Sequence, residues 1–307
     1  VQEMYSCDYG VPQNTLPQGP AYLPHVLMTQ KSDRPDHFWE ALRVTPTTFN
    51  QMVGELTNDH VFSNNSQNAQ IAVETQLAVT LYCFGHNSNS ASLQEIANWA
   101  GVGKETVELV TQRVMMAVLC WRFMEMAVPF PISEEKEKAK AWVVSHSCKA
   151  WHGGWCLVDG TLIPLFDKPY QFGESYFDQK SNYSLNFQIV SLPNLQIIDY
   201  GFGFTGSTHD STAWDKTQFA QEHGQQIATW PVSPYKKPEH DLPENEEFNK
   251  HVSMVCIWSE HAIGYLKGRF HSLKSLCINI KDEVLHQFAT YWVVACIALH
   301  NFALRCE

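Results

Sequence analysis

The apolar residues of this chain change their spacing once, near residue 151, and this change limits the fold more than any other feature. Before it they recur at helical spacing, as after Thr45, where Phe49, Met52 and Leu56 share one face. After it come three runs typical of β-strands, at 156–166, 184–192 and 196–204. Three helices follow, predicted at 210–222, 252–276 and 282–305, with a loop at 225–245. This order predicts an α/β fold preceded by an all-α region.

The pattern divides the chain into three segments. Residues 1–33 carry four prolines without apolar periodicity, which predicts an extended, weakly ordered arm. Residues 34–150 form the all-α region, and residues 151–307 form the α/β region. The charge-rich stretch 133–140 has a serine cap and predicts a solvated connecting helix between the two regions.

Composition excludes several classes of protein. The chain has 307 residues, of which 44% are hydrophobic and 12% aromatic, so it can bury a full core and is not globally disordered. The net charge of -11 argues against a general polyanion binder, although a local basic groove or a carboxylate metal site remains compatible. The longest apolar stretch, 288–299, is too short for a membrane span. The nine cysteines form no C-x-x-C pair, which favours buried thiols over zinc or disulfides.

The stretch 92–118 has the spacing of a helix-turn-helix. A short helix is followed by a turn with Gly101 and Gly103 and then by a second helix at 104–118, whose inner face is apolar. Such a unit can place its second helix in the major groove of DNA. A plain helical hairpin is the alternative, because the outer face carries the basic Lys104 and Arg113 beside two glutamates. Lys104 and Arg113 are the DNA-binding candidates of this region.

Asp159 is the strongest single functional candidate. It interrupts the apolar run 156–163, which is the first predicted strand. A central strand covered on both faces is expected to be apolar throughout, and a carboxylate there costs several kcal/mol unless it is paired or bound to a metal. The alternative is an ordinary turn aspartate in the Asp159-Gly160 pair at the end of the strand.

Two further carboxylates complete a candidate site. Asp210 follows the third predicted strand at the start of a helix, where a simple N-cap is the alternative role. Glu260 lies on a later helix beside the basic Lys267 and Arg269, where an exposed ion-paired face is the alternative. Carboxylates so placed can converge on divalent cations, and a pair of cations promotes phosphodiester cleavage. We therefore predict Asp159, Asp210 and Glu260 as catalytic metal ligands for Mg²⁺ or Mn²⁺. We predict Lys180, Lys267 and Arg269 as residues that bind the DNA.

These motifs resemble those of PIF/Harbinger-type DDE transposases, in the form found in fungi. The matching pieces are Val158-Asp159-Gly160-Thr161, Tyr176-Phe177-Asp178-Gln179-Lys180, the run 206–211 that contains His209-Asp210-Ser211, and the run 249–270 that contains Ser259-Glu260-His261. The resemblance covers nearly the whole chain and favours DNA reading by the helix-turn-helix. It implies an RNase H-like mixed sheet flanked by helices over 151–307. It also implies a metal-dependent DNA endonuclease acting on transposon ends in the nucleus, together with a Myb-like DNA-binding partner.

The chain departs from that family at one important place. The family has a further strand that ends in an Asp-x-x-Tyr-Pro motif, and its aspartate is the expected second catalytic carboxylate. Here no acid lies between Glu222 and Glu239, so this strand is missing from the sequence pattern. Cys256 and Trp258 also stand where the family tends to carry arginine. A non-catalytic relic or a domesticated DNA- or protein-binding module is therefore the alternative. A hydrolase using Ser207, His209 or His261 is disfavoured, because no G-x-S-x-G elbow is present.

Overall fold

The computed structural model describes residues 19–63, 70–87, 92–208, 210–215, 217, 220–221 and 235–307. Its all-α region consists of nine helices within the described residues. They are α1 (Leu23–His25), α2 (Lys31–Asp33), α3 (Pro35–Leu42), α4 (Pro46–Leu56), α5 (Val73–Gly85), α6 (Leu93–Ala100), α7 (Lys104–Val118), α8 (Trp121–Ala127) and α9 (Ser133–His146). A π-helical turn, Val26–Gln30, joins α1 to α2.

The N-terminal segment is helical from Leu23 to Asp33, so the expectation of an extended arm is wrong for these residues. Pro24 lies in the first turn, where a missing backbone N–H costs nothing. Leu23 and Val26, three residues apart, are both buried in the main core. The backbone N–H of Tyr22 donates to the carbonyl of Trp99 at 2.9 Å and ties the segment to α6. Residues 1–18 of the predicted arm lie outside the described residues.

Local signals placed the starts of α4 and α6 and the end of α6 correctly. Thr45 caps α4, because its side-chain oxygen accepts a hydrogen bond from the backbone N–H of Thr48 at 3.2 Å. Ser92 caps α6 in the same way through Glu95. Gly101 ends α6 with φ 71, a left-handed conformation that favours glycine. The helices α6 and α7 are therefore present as a packed pair, with Val107, Val110, Val114 and Val118 buried along α7. A packed pair is compatible both with a helix-turn-helix and with a plain helical hairpin.

The sheet has three strands in the described residues, β1 (Leu157–Pro164), β2 (Ser184–Ser191) and β3 (Ile197–Thr205), in the order β1-β2-β3. Both pairings are antiparallel, with Asp159 opposite Ile189. The described parallel component of the predicted mixed sheet is an isolated bridge between Leu165 and Leu276. The strand buried along its whole length is β2, not β1. Asp159 therefore lies on an outer strand of the described sheet, where a carboxylate is easier to hold than in a covered centre.

Three helices follow the sheet within the described residues, namely α10 (Asp210–Asp215), α11 (Pro243–Arg269) and α12 (Glu283–Cys306). The helix α11 begins nine residues before the predicted start at 252, because its first turns are polar and show no apolar period. Pro243 at its first position and Glu244 and Glu246 in its first turn provide the start signal instead.

The helix α12 joins the two regions into one core. Its residues 293–303 are almost all buried, and they pack with α7, α8, α11 and β3. By length and composition α12 is the one described helix that could cross a membrane, but 72% of its most apolar window is buried inside the protein. This burial is typical of the central helix of a globular fold.

Candidate active site between β1 and α11

Asp159 faces the long helix α11. The helix packs on β1 through Val255, which contacts Leu157 two residues before Asp159 on the same strand face. The hydroxyl of Ser259 donates a hydrogen bond to the carbonyl of Cys256 at 2.6 Å and lies 3.4 Å from Oδ2 of Asp159. Asp159 is half-buried as a result, at the edge between the core and solvent.

Glu260 directly follows Ser259 on α11 and is exposed. The thiol of Cys256 lies one turn earlier on α11, and both carboxylates affect its pKa. Burial raises the pKa of Cys256, and the negative charges of Asp159 and Glu260 raise it further. Both carboxylates act on this thiol, so Asp159 and Glu260 lie in one neighbourhood. Ser259 and Cys256 were not predicted as members of this site; their position one and four residues before Glu260 was the available signal.

Asp210 begins α10, but its side chain lies outside the described residues. The helix itself packs on the other face of the sheet from α11. Trp214 of α10 packs against a cluster with Val158 and Val190, whereas α11 packs against Leu157. Neighbouring residues of a strand point to opposite faces, so α10 and Asp159 lie on opposite faces of the sheet. His209 and the stretch 222–234, where the acidic strand is missing from the sequence pattern, also lie outside the described residues.

The loop before α10 is held firmly to β2. The backbone N–H of Gly206 donates to the carbonyl of Ser184 at 2.9 Å, and the amide of Asn186 donates to the carbonyl of Thr208 at 2.8 Å. A Cβ on Gly206 would lie 2.4 Å from the carbonyl of Tyr176 and 2.6 Å from the Ser184 hydroxyl, so only glycine fits there. The motif around residue 206 therefore has a clear structural role in closing the loop onto the sheet.

The pair of carboxylates suits a hard divalent cation. Among the described residues no group of three His, Cys, Asp or Glu side chains is arranged to hold a metal ion. Mg²⁺ nevertheless is usually held by one or two carboxylates together with water and substrate phosphates. Asp159 and Glu260 supply two such oxygen donors on one side of β1, so they fit Mg²⁺ or Mn²⁺ better than zinc, which prefers nitrogen and sulfur ligands.

The predicted DNA-binding residues divide into exposed and buried members. Lys104 and Lys180 are exposed, and Arg113 is half-buried. Lys267 is half-buried, and its ammonium group donates to the carbonyl of Leu162 at 2.7 Å. Burial, together with the positive charge of Lys180, lowers the pKa of Lys267 to about 8. Lys267 and Lys180 therefore lie close together beside the end of β1.

Arg269 has a structural role, which corrects its assignment to the DNA surface. It is 1% exposed, and its guanidinium donates to the carboxylate of Glu307 at 2.7 Å and to the carbonyl of Arg43 at 2.8 Å. The hydroxyl of Tyr265 accepts a further hydrogen bond from it at 3.2 Å. A guanidinium held in this way has no surface for a phosphate. The sequence alone could not reveal this, because Glu307 is 38 residues away in the chain.

Aromatic and histidine side chains border the carboxylates. The rings of Trp142 and His146 stack with centroids 4.0 Å apart, and Trp142 meets Trp258 edge-on at 5.0 Å. His261 lies 5.2 Å from Trp258 on the other side. Because Trp258 directly precedes Ser259, this aromatic cluster lies next to Asp159. Its rings are not counted among the ligands of a metal.

Part of the chain is similar to a known class of enzyme. Residues 158–301, slightly less than half of the chain, match the family described as DDE superfamily endonuclease, and the match begins one residue before Asp159 and includes Glu260. The matched stretch has mixed α/β structure, and members of that class generally act on DNA with divalent metal. The chain is also similar to "Protein ALP1-like" of Arabidopsis thaliana, with 21% identity over 310 residues that cover 90% of this chain and 72% of the relative. No solved structure matches the chain.

Proposed function

We propose that this chain is a transposase-derived DNA endonuclease of the PIF/Harbinger type, in which Asp159 and Glu260 hold Mg²⁺ or Mn²⁺. The observation that carries the proposal is the packing of α11 on β1, which brings Ser259 to 3.4 Å from Asp159 with Glu260 next to it in the chain, within a stretch similar to the DDE class. A cation held by Asp159 and Glu260 would supply activation of water and neutralisation of the charge that develops on the phosphate. Ser259 lies against Asp159 at 3.4 Å, and the aromatic cluster of Trp142 and Trp258 limits the direction from which DNA approaches.

The proposal extends to how DNA is held. The helix α7 presents Lys104 and Arg113 as the reading helix of a helix-turn-helix, and Lys180 and Lys267 contact phosphates beside β1. The net charge of -11 leaves little general affinity for DNA, which supports a requirement for a separate, basic, Myb-like DNA-binding partner in the nucleus. The RNase H-like arrangement of the sheet is part of the same proposal, supported by the antiparallel order β1-β2-β3.

The second candidate is a non-catalytic module derived from such an enzyme. It is favoured by the acid-free stretch between Glu222 and Glu239 and by the lack of a third metal-binding side chain among the described residues. In this case the chain keeps the fold and its DNA or protein contacts and loses turnover. The two candidates differ in metal binding and in cleavage, so both properties are measured.

The test begins with calorimetric titration of Mn²⁺ into the protein. Asp159→Asn and Glu260→Gln are expected to weaken saturable binding by roughly tenfold or more, because each removes a charged ligand. Asp167→Asn and Glu244→Gln are the matched controls, since both remove exposed carboxylates away from Cys256 and are expected to bind Mn²⁺ as the unchanged chain does. Asp210→Asn tests the third predicted ligand. Absence of saturable binding, or equal binding in all variants, contradicts the proposed site.

Nicking of a supercoiled plasmid in Mn²⁺ then separates the two candidates. Nicking that disappears in Asp159→Asn and persists in Asp167→Asn supports the endonuclease. Metal binding without nicking, also in the presence of nuclear extract that would provide a partner, supports the non-catalytic module. DNA binding is measured in parallel at several salt concentrations, where loss of Lys104 or Arg113 is expected to reduce the salt dependence by about one phosphate contact each.

A further inference from the structure

Three exposed aromatic side chains follow β1 closely. Phe166, Tyr170 and Phe172 are 75%, 84% and 84% exposed, and all three lie within the stretch 166–172. We call these three side chains the aromatic surface. A single exposed apolar residue is ordinary, whereas several exposed rings in one short segment are typical of a surface that contacts another molecule.

The backbone holds this segment in a defined position. The N–H of Phe166 donates to the carbonyl of Leu276 at 3.0 Å, and the N–H of Tyr170 donates to the carbonyl of Ile280 at 3.0 Å. The residues directly before these two aromatics are buried. The segment is therefore packed on the core while its rings face solvent.

Phe172 is presented at a conformational cost. Its backbone has φ 52, in the left-handed region, which is unfavourable for a bulky side chain. Its carbonyl accepts hydrogen bonds from the backbone N–H of Ser175 at 2.9 Å and from the hydroxyl of the same serine at 2.8 Å. A strained backbone at an exposed ring is more typical of a binding site than of a loop that only connects two elements.

Basic side chains adjoin the aromatic surface. The ammonium group of Lys168, between two of the rings in the sequence, lies 5.4 Å from the centre of the Tyr183 ring and pairs with Glu174. The carbonyl of Tyr183 accepts from the backbone N–H of Leu165 at 2.7 Å, so the turn before Tyr183 lies next to the start of the aromatic surface. Lys180 in that turn is exposed and forms no ion pair with another described residue.

The acids of the same stretch are engaged within the protein. Between residues 166 and 183 they are Asp167, Glu174 and Asp178. Glu174 pairs with Lys168, and Asp167 accepts a hydrogen bond from the backbone N–H of the same lysine at 3.0 Å. Asp178 is buried and accepts from the backbone N–H of Lys180 at 2.7 Å. The stretch therefore presents rings together with an exposed ammonium group, which suits a partner that is both aromatic and anionic.

We propose that the aromatic surface binds single-stranded DNA by stacking on its unpaired bases, while Lys180 contacts a phosphate. An unpaired strand offers aromatic faces and negative charge together, whereas a duplex keeps its bases stacked on one another. Lys180 is already one of the proposed phosphate contacts, and Lys267 donates to the carbonyl of Leu162 two residues before the end of β1. The aromatic surface therefore continues the proposed path of the DNA.

The position fits a strand that is opened beside the proposed cleavage site. Phe166 follows Asp159 by seven residues. An extended chain of this length spans at most about 23 Å, a distance that a stacked strand covers with about seven bases. The choice of DNA as the partner rests on the proposed function, but binding itself requires neither metal nor cleavage. A protein that packs on the rings is the competing partner.

Fluorescence anisotropy in EDTA tests the proposal with three labelled ligands of equal length, namely a single strand, a strand of abasic nucleotides and a duplex. The single strand is expected to bind about tenfold more tightly than the abasic strand, because both carry the same phosphates and only one carries bases that stack. Equal binding of the two strands, or tightest binding of the duplex, overturns the proposal and leaves a protein as the partner of the aromatic surface.

Variants of one residue separate stacking from general apolar contact. Tyr170→Leu removes the ring and keeps an apolar side chain, whereas Tyr170→Phe keeps the ring. The first is expected to weaken the single strand by about fivefold to tenfold and to leave the abasic strand unchanged, and the second to change neither. Trp121→Leu, which removes a 77% exposed ring from α8, is the matched control. An unchanged affinity of Tyr170→Leu, or the same loss in Tyr170→Phe or in Trp121→Leu, contradicts stacking at this place.

Lys180→Gln tests the phosphate contact separately. It is expected to weaken the single strand and the abasic strand equally, by roughly threefold, because both carry the phosphates. The exposed Lys138→Gln on α9 is the control. A loss confined to the single strand, or an equal loss in Lys138→Gln, contradicts the assigned role of Lys180.

The EDTA condition keeps this result apart from the proposed nuclease. If Mn²⁺ does not bind at Asp159 and Glu260 while the preference for bases persists, the endonuclease fails and the aromatic surface stands. If Mn²⁺ binds and nicking occurs while the abasic strand binds as tightly as the single strand, the aromatic surface fails and the endonuclease stands.

Discussion

The helix α11 has charged groups near Ser259 and near Arg269, and these two places differ in how far the charges are buried and paired. Near Ser259 the carboxylates of Asp159 and Glu260 are left half-buried and exposed, next to a thiol whose pKa they raise. Near Arg269 the charged groups are taken inside and given hydrogen-bond partners. Both ends belong to one sequence motif, ten residues apart, in which every charge had been expected to face DNA or metal.

The difference follows from what covers each end. At Arg269 the C-terminal part of α12 brings the carboxylate of Glu307 to 2.7 Å, and His300 packs against Tyr265 with ring centroids 5.2 Å apart. At Ser259 the described neighbours are the strand β1 and the aromatic cluster, and Glu260 stays exposed. A buried ion pair leaves an uncompensated charge when one partner is removed, whereas an exposed carboxylate such as Glu260 can reach a ligand.

The largest effect is expected from breaking the buried end. Arg269→Met removes the partner of Glu307 and leaves that carboxylate and the carbonyl of Arg43 without their donor. Breaking a buried ion pair in this way costs about 4 kcal/mol of unfolding free energy. Denaturant unfolding measures it, with the exposed Lys281→Met as the control. A loss below about 1 kcal/mol would place Arg269 among ordinary surface charges.

A double variant sharpens the same comparison. If Arg269 and Glu307 act as a pair, Glu307→Gln in the Arg269→Met background is expected to cost less than Glu307→Gln alone. Two independent losses that simply add would mean that the hydrogen bonds to Arg43 and Tyr265, and not the ion pair, hold Arg269 in place.

His300 makes the buried end sensitive to acid. Burial, and then the charge of Arg269, lower the pKa of His300 to about 3. Between the ordinary pKa near 6.5 and about 3 the unfolded chain binds a proton and the folded protein does not, so stability present at neutral pH is lost as the pH falls. From pH 7 to pH 4.5 this loss is about 3 kcal/mol. His300→Leu is expected to remove it, and an unchanged acid dependence in that variant would contradict the assignment.

Lys267 gives a dependence of the same sign at alkaline pH. Its pKa is lowered to about 8 in the folded protein, so between about 8 and 10 the unfolded chain holds a proton that the folded protein has released. Stability therefore rises with pH in this window, by about 2 kcal/mol. Lys267→Met is expected to flatten this rise relative to the exposed Lys281→Met. Parallel curves for the two variants would mean that Lys267 is as well solvated as a surface lysine.

The sequence predicted what depends on neighbours in the chain. Helices α4, α6 and α7 and the three strands lie close to their predicted positions, because caps, glycine turns and apolar periods act locally. The joint role of Asp159, Asp210 and Glu260 as metal ligands stays a prediction. Long-range contacts could not be predicted from the sequence. The burial of Arg269, the outer position of β1 and the face on which α10 packs each depend on elements far apart in sequence.

The smallest predicted effect concerns Asp159 and Glu260 near Ser259 and is measured without DNA. Because Asp159 and Glu260 both raise the pKa of Cys256, removing either charge lowers that pKa and increases the thiolate fraction. Asp159→Asn and Glu260→Gln are each expected to speed alkylation of Cys256 at pH 8 by roughly twofold to threefold, as judged by mass spectrometry of its peptide. The exposed Cys277 is the internal reference, and Asp167→Asn is the matched control. A rate that changes for Glu260→Gln alone would mean that Asp159 is too far from Cys256 to share its surroundings. In that case the two carboxylates do not form one site. Faster alkylation in both variants supports one site, and a change in the alkylation rate of the unchanged chain on addition of Mn²⁺ would indicate that the metal binds there.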